Sequence, residues 1–73
     1  MNLTLDTRGK SCPMPIVLLA RQARELAGGA QLTVLADDRA FPPDVEAWCR
    51  KTGHELLALR DLGDFFEAQI QLV

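Results

Sequence analysis

Residues 11–15, Ser-Cys-Pro-Met-Pro, combine a nucleophilic side chain with an unusually stiff backbone. A proline ring fixes its own φ angle and pushes the residue before it toward extended backbone. Because Cys12 and Met14 both precede a proline, residues 12–15 have little conformational freedom. Helical apolar periodicity begins directly afterwards, so Pro15 is predicted to be the first residue of a helix. The sequence therefore predicts that Cys12 is held just outside a helix N-terminus.

A thiol at that position is expected to ionise readily. A helix N-terminus carries unsatisfied N–H groups and partial positive charge, which stabilise a thiolate and lower the pKa of a cysteine. Arg8 and Lys10 precede Cys12 and are expected to add positive potential. The thiolate is the form that attacks sulfur or carries it. The residues alone leave an alternative open, in which Cys12 is a small apolar group at the start of a helix.

The other potential ligands and thiols are expected to lie elsewhere. The segment lacks the second cysteine of a zinc-binding or dithiol-redox Cys-x-x-Cys motif. Cys49 falls on the apolar stripe of a later helix, roughly 9 Å along it from the Cys12 end, and is predicted to be a core residue. His54 is expected at the opposite end of the sheet, as a capping or surface residue. We therefore expect no metal site and no cofactor.

Length and composition predict a single small globular domain over residues 1–73. Apolar residues make up 48% of the chain, charged residues 25%, and the net charge is −2. The cations form no run, which argues against a nucleic-acid surface or a polybasic membrane patch. The longest apolar run, from Ile16 to Ala20, is far too short to span a membrane, and no signal peptide is evident. These features favour a reducing, cytoplasmic compartment with free thiols.

Periodicity predicts the element order β-α-β-α-β-β. Strands are predicted at residues 3–5, 31–36, 55–61 and 66–72, and helices from Pro15 to a Gly28-Gly29 cap and from Pro42-Pro43 to Gly53. Strand-helix-strand units place their strands parallel, whereas the last two strands should form an antiparallel hairpin. The fold class predicted is a two-layer α/β sandwich, with a four-stranded mixed sheet and two helices on one face.

Several side chains outside residues 11–15 also receive predictions. Asp37 and Asp38 end the second strand near Cys12 and are expected to cap the second helix or its preceding loop, with docking to a basic partner as the alternative. Trp48 is predicted to be a core residue. Arg21 and Arg24 lie on the exposed face of the first helix, as solubility charges that a partner could also contact.

The chain resembles the TusA/SirA family of small sulfur carriers. The residues that carry the resemblance extend over nearly the whole chain: Leu5-Asp6-x-Arg8-Gly9, Cys12-Pro13-Met14-Pro15, Ala36-Asp37-Asp38, Trp48-Cys49 and Gly53-His54-Glu55-Leu56. The resemblance implies three parallel strands and an antiparallel last strand. It also implies that Cys12 accepts sulfur as a persulfide. The supporting residues expected from the sequence itself are Pro13 and Pro15, which stiffen the segment, and Arg8 and Lys10, which precede it.

The same resemblance implies the partners. The sulfur donor would be a cysteine desulfurase or another sulfurtransferase, and the recipient a further protein thiol. Family endpoints include thiolation of tRNA wobble uridine, molybdenum cofactor maturation and oxidation of sulfur compounds. Since the chain is acidic, we expect a tRNA product to be reached through partner proteins, without direct nucleic-acid contact.

Two other functions remain compatible with these residues. One is a non-enzymatic docking or regulatory module in which Cys12 is only structural. The other is a thiol redox sensor, which would form a stable oxidised state under mild peroxide. Rapid alkylation of Cys12 with protection of Cys49 would argue against the docking module.

Overall fold

The computed structural model describes residues 2–73 and has the predicted element order. The elements are β1 (Asn2–Asp6), α1 (Met14–Glu25), β2 (Gln31–Ala36), α2 (Phe41–Thr52), β3 (Glu55–Asp61) and β4 (Phe66–Gln71). Within the described chain, no helix is long and apolar enough to cross a membrane.

The four strands form one mixed sheet in the order β1-β2-β4-β3. β1 and β2 are parallel, and β4 is antiparallel to both of its neighbours, β2 and β3, as predicted. Asn2, Gln31 and Gln71 lie in one row at one end of the sheet. The opposite end carries Asp6, after which the chain enters the segment that contains Cys12.

Both helices pack on the same sheet face, which confirms the two-layer sandwich. The buried side chains of the sheet and of the helices form a single cluster: Leu19, Ala30, Leu32, Val34, Ala36, Phe41, Val45, Cys49, Ala68, Ile70 and Leu72. The residues that alternate with these on β2 and β4, such as Thr33 and Gln69, face away from the helices and are partly exposed. Burying one large apolar side chain stabilises a fold by roughly 1.5–3 kcal/mol, so this layer holds the sheet and helices together.

The helix boundaries differ from the predicted ones by one to three residues. α1 begins at Met14 and α2 at Phe41, and each has proline in its first turn, where the missing N–H costs no hydrogen bond. α1 ends at Glu25, before the predicted glycine cap. Gly29, with φ 92°, instead turns the chain toward β2. Gly53 does cap α2, since its φ of 83° lets its N–H bond to the Cys49 carbonyl at 2.9 Å.

Candidate functional site

The segment between β1 and α1 starts from a buried anchor. Thr7 is 0% exposed, and both its N–H and its Oγ1 hydroxyl donate to the Leu35 carbonyl, at 2.7 and 2.6 Å. The sequence gives no sign of this role, because a threonine among Asp, Arg, Gly and Lys has no burial signal. The anchor fixes where the loop leaves the sheet.

Two carboxylates after β2 hold the same loop. The Asp37 carboxylate accepts the Gly9 N–H, at 3.0 and 3.1 Å to its two oxygens. Asp38 Oδ2 accepts the Cys12 N–H at 3.1 Å. The prediction that these residues cap α2 or its preceding loop was wrong as regards their side chains. Both carboxylates bond to the segment between β1 and α1, and Ala40, the N-cap of α2, makes no side-chain hydrogen bond. The Asp37 and Asp38 carboxylates accept hydrogen bonds from the backbone N–H groups of Gly9 and Cys12 instead.

The start of α1 orders the backbone on the other side of Cys12. The Met14 N–H donates to the Ser11 carbonyl at 2.8 Å, and the Val17 N–H donates to the Pro13 carbonyl at 3.0 Å. Pro13 is the N-cap of α1, its peptide bond with Cys12 is cis, and Pro15 is buried. Cys12 is therefore held by backbone contacts before and after it.

The thiol of Cys12 is exposed and points to a carboxylate. Its Sγ donates to Oδ2 of Asp44, in the first turn of α2, at 3.1 Å. This hydrogen bond raises the pKa of Cys12, and partial desolvation of the thiol and the negative charges of Asp44 and Asp38 raise it further. The predicted lowering of the pKa was therefore wrong. The two acidic groups that contact Cys12 come from other segments and favour the protonated, hydrogen-bonded form of the thiol.

Of the two upstream cations expected to add positive potential at the thiol, Arg8 is paired with a carboxylate. Arg8 forms a two-pronged ion pair with Asp6, with Nε–Oδ1 at 3.0 Å and Nη2–Oδ2 at 2.8 Å, and its guanidinium lies over the Phe65 ring. The hydrogen bonds from Arg8 hold the pKa of Asp6 at about 2, so the pair stays ionised at ordinary pH. Lys10 is exposed and forms no ion pair within residues 2–73.

An apolar groove of about 370 Å³ opens beside the thiol, between the two helices. Its lining residues come from both helices and from the Cys12 segment: Cys12, Pro13, Ile16, Asp44, Ala47, Trp48 and Lys51. Trp48, predicted to be core, packs against the core and also forms part of this groove wall. A partner that reaches Cys12 thus meets an apolar surface next to the sulfur.

The second cysteine is part of the core, as predicted. Cys49 is 4% exposed, belongs to the buried cluster, and is a free thiol like Cys12. Burial raises its pKa. His54 lies beyond the C-terminal end of α2, where its Nδ1 accepts the Val73 N–H at 3.2 Å and its ring contacts Trp48. The structure therefore separates these two residues from the exposed thiol.

The two thiols are predicted to differ sharply in alkylation. Iodoacetamide should modify Cys12 in the folded protein, whereas Cys49 should react only after unfolding in urea. Because the pKa of Cys12 is raised, its rate should rise with pH and reach half-maximum above the midpoint of a free cysteine. Peptide mapping after timed alkylation across a pH series measures both effects. Equal labelling of both cysteines in the folded chain, or a midpoint below that of free cysteine, would contradict them.

Comparison with known proteins extends over nearly the whole chain. Residues 3–72 match the model of the family described as sulfurtransferase TusA. The sulfur carrier protein TusA of Pseudomonas entomophila is 41% identical over 58 residues, which are 80% of this chain and 72% of that protein. Its namesake in Pseudomonas putida is 40% identical over 62 residues, 84% of this chain and 78% of that protein.

A solved structure shares the fold. The SirA-like protein of Desulfitobacterium hafniense superimposes with a TM-score of 0.81 at 25% sequence identity, over 93% of each chain. The shared fold agrees with the four-stranded mixed sheet and two helices described above. The chain belongs to the TusA family of sulfurtransferases.

Proposed function

We propose that this protein is a sulfur carrier that accepts sulfur as a persulfide on Cys12 and passes it to a partner protein. The observation that carries the proposal is a single exposed thiol, held on an ordered loop at the rim of an apolar groove, in a TusA-family chain. The other thiol, Cys49, is buried and is out of reach of a macromolecular partner. The names of the two Pseudomonas relatives agree with this role.

The transfer needs no oxidant and no metal. The Cys12 thiolate attacks the outer sulfur of a donor cysteine persulfide, and a new S–S bond forms on Cys12. The S–S bond of the donor breaks, the donor cysteine leaves as a thiolate, and the proton lost by Cys12 balances it. Release repeats the exchange, with the acceptor's thiolate attacking the outer sulfur on Cys12. Each step exchanges one S–S bond for another, so carrier and partner need only bring their sulfurs together.

The partners proposed are those that the resemblance to the TusA/SirA family implies. A cysteine desulfurase or another sulfurtransferase would serve as donor, and a second protein thiol would serve as acceptor. The cargo could enter tRNA thiolation, molybdenum cofactor maturation or sulfur oxidation. The net charge of −2 favours delivery to RNA through a protein intermediate. A reducing cytoplasm would keep Cys12 available as a thiol.

Loading can be tested directly by intact-mass spectrometry. The protein is incubated with a cysteine desulfurase and free cysteine, then desalted and weighed with and without a reductant. We expect a gain of one sulfur atom, which the reductant removes and which peptide mapping assigns to Cys12. Absence of the adduct with several different donors would overturn the carrier proposal and favour a docking module.

A further inference from the structure

The charges around the Cys12 thiol are arranged asymmetrically. Asp44, on α2, accepts the thiol's hydrogen bond, and Asp38, between β2 and α2, binds the backbone N–H of the same residue. Lys51 lines the groove as well, but it lies seven residues further along α2, a rise of about 10 Å. Arg8 is paired with Asp6. Within residues 2–73, the charged groups in hydrogen-bond contact with Cys12 are therefore both acidic.

We propose that Asp44 selects the partners of Cys12 by charge: its carboxylate holds the thiol proton and places negative charge beside Sγ, so a donor must bring a cationic side chain to the sulfur it delivers. The inference rests on the proposed role of Cys12 as sulfur acceptor and adds a specificity-determining residue to it. Asp44 positions and restrains the thiol through a hydrogen bond and transfers no sulfur itself.

Two consequences of a partner's cation lead to this selectivity. A lysine or arginine that pairs with Asp44 competes for Oδ2 and weakens the Sγ–H···Oδ2 bond, which frees the proton. It also offsets the negative charge that disfavours a thiolate. An anionic or neutral reagent does neither, and an anionic one is repelled. The thiol therefore reacts slowly with neutral and anionic electrophiles. It ionises and reacts faster where a basic partner docks.

Small disulfides of different charge test this without any sulfur donor. Cystamine is cationic, hydroxyethyl disulfide is neutral and dithiodiglycolate is anionic. With each, the Cys12 thiolate attacks one sulfur, a mixed disulfide forms on Cys12, and the other half leaves as a thiolate that takes up a proton. Rates are measured by intact mass at low and high salt, and for the neutral reagent across a pH series.

Three variants distinguish the effect of the Asp44 carboxylate from the effect of the protein's overall negative charge. Asp44→Asn removes the charge beside Sγ, and Asp44→Glu keeps a carboxylate there. Glu46→Gln removes the same single charge from an exposed position on the same helix. Circular dichroism establishes that each variant is folded, and Asp44→Glu with Glu46→Gln keeps the test informative if Asp44→Asn does not fold.

In the native chain we expect cystamine to react about tenfold faster than dithiodiglycolate at low salt, and added salt should reduce this ratio. Asp44→Asn should lose most of the preference for cystamine and shift the pH midpoint of the reaction with the neutral reagent downward. Glu46→Gln should change neither quantity. Asp44→Glu should keep the preference for cystamine. Equal rates for the cationic and anionic reagents in the native chain, or loss of preference in Glu46→Gln, would overturn the proposal. Because disulfide exchange requires no sulfur carriage, a negative result here is distinct from failure of persulfide loading.

Discussion

The Cys12→Ser variant should take up no sulfur from a cysteine desulfurase, while its fold stays intact. A serine hydroxyl remains protonated at neutral pH and does not attack sulfur. The side chain is exposed, and a serine Oγ can still donate a hydrogen bond to Asp44. We therefore expect a free energy of unfolding within about 0.5 kcal/mol of the native chain. Intact mass after incubation with the desulfurase measures loading, and urea unfolding measures stability.

The matched control is Cys49→Ser. It removes the other thiol, which is buried, so it should lose some stability by placing a hydroxyl in the core but should load sulfur as the native chain does. Together the two variants separate the site of loading from general damage to the fold. Loading of the Cys12→Ser variant to the native level would refute Cys12 as the acceptor.

Phe41→Ala should have the largest effect on stability. Phe41 is 1% exposed, heads α2 and is the largest of the fully buried side chains. Truncating a buried phenylalanine costs roughly 3–5 kcal/mol, which approaches the whole stability expected of a domain this small. We expect a variant that is mostly unfolded at room temperature and shows no cooperative unfolding transition in urea. Its Cys49 thiol should react with iodoacetamide without added denaturant.

Phe65→Ala is the control for aromatic truncation outside the core. Phe65 is half-buried in the turn before β4, where its ring contacts the Arg8 guanidinium. The loss of this contact should cost about 1 kcal/mol or less. A Phe41→Ala variant with the urea midpoint of Phe65→Ala would show that α2 does not depend on Phe41.

The strands were predictable because the alternation of apolar and polar residues that identifies each strand lies within a few consecutive residues. The alternation of Ala68 and Ile70 with polar neighbours identifies β4 and its buried face without any tertiary information. The helix starts were less predictable. Phe41 stands before two prolines and was placed outside the helix, yet its burial draws it into the first turn of α2.

The candidate site was predictable in position but not in its electrostatics. The stiff residues around Cys12 indicated that the thiol lies before α1, and the structure has it there. The pKa prediction counted the N-terminus of α1 and the sequence neighbours Arg8 and Lys10. Asp38, expected near Cys12 from the end of β2, accepts its backbone N–H from 26 residues away. Asp44, which accepts the thiol's hydrogen bond, is 32 residues away, and this contact has no local sequence signal.

Asn2, Gln31 and Gln71 are paired at the end of the sheet opposite Cys12, and this bears on where a tag or a tether can be joined to the protein. β1 has five residues and spans about 16 Å from Asn2 to the end that leads to Cys12. Val73 lies at the same end as Asn2, beside His54. A purification tag, a surface tether or a fused domain joined next to Asn2 or Val73 would therefore extend from the far side of the molecule and leave the exposed Cys12 thiol facing solution.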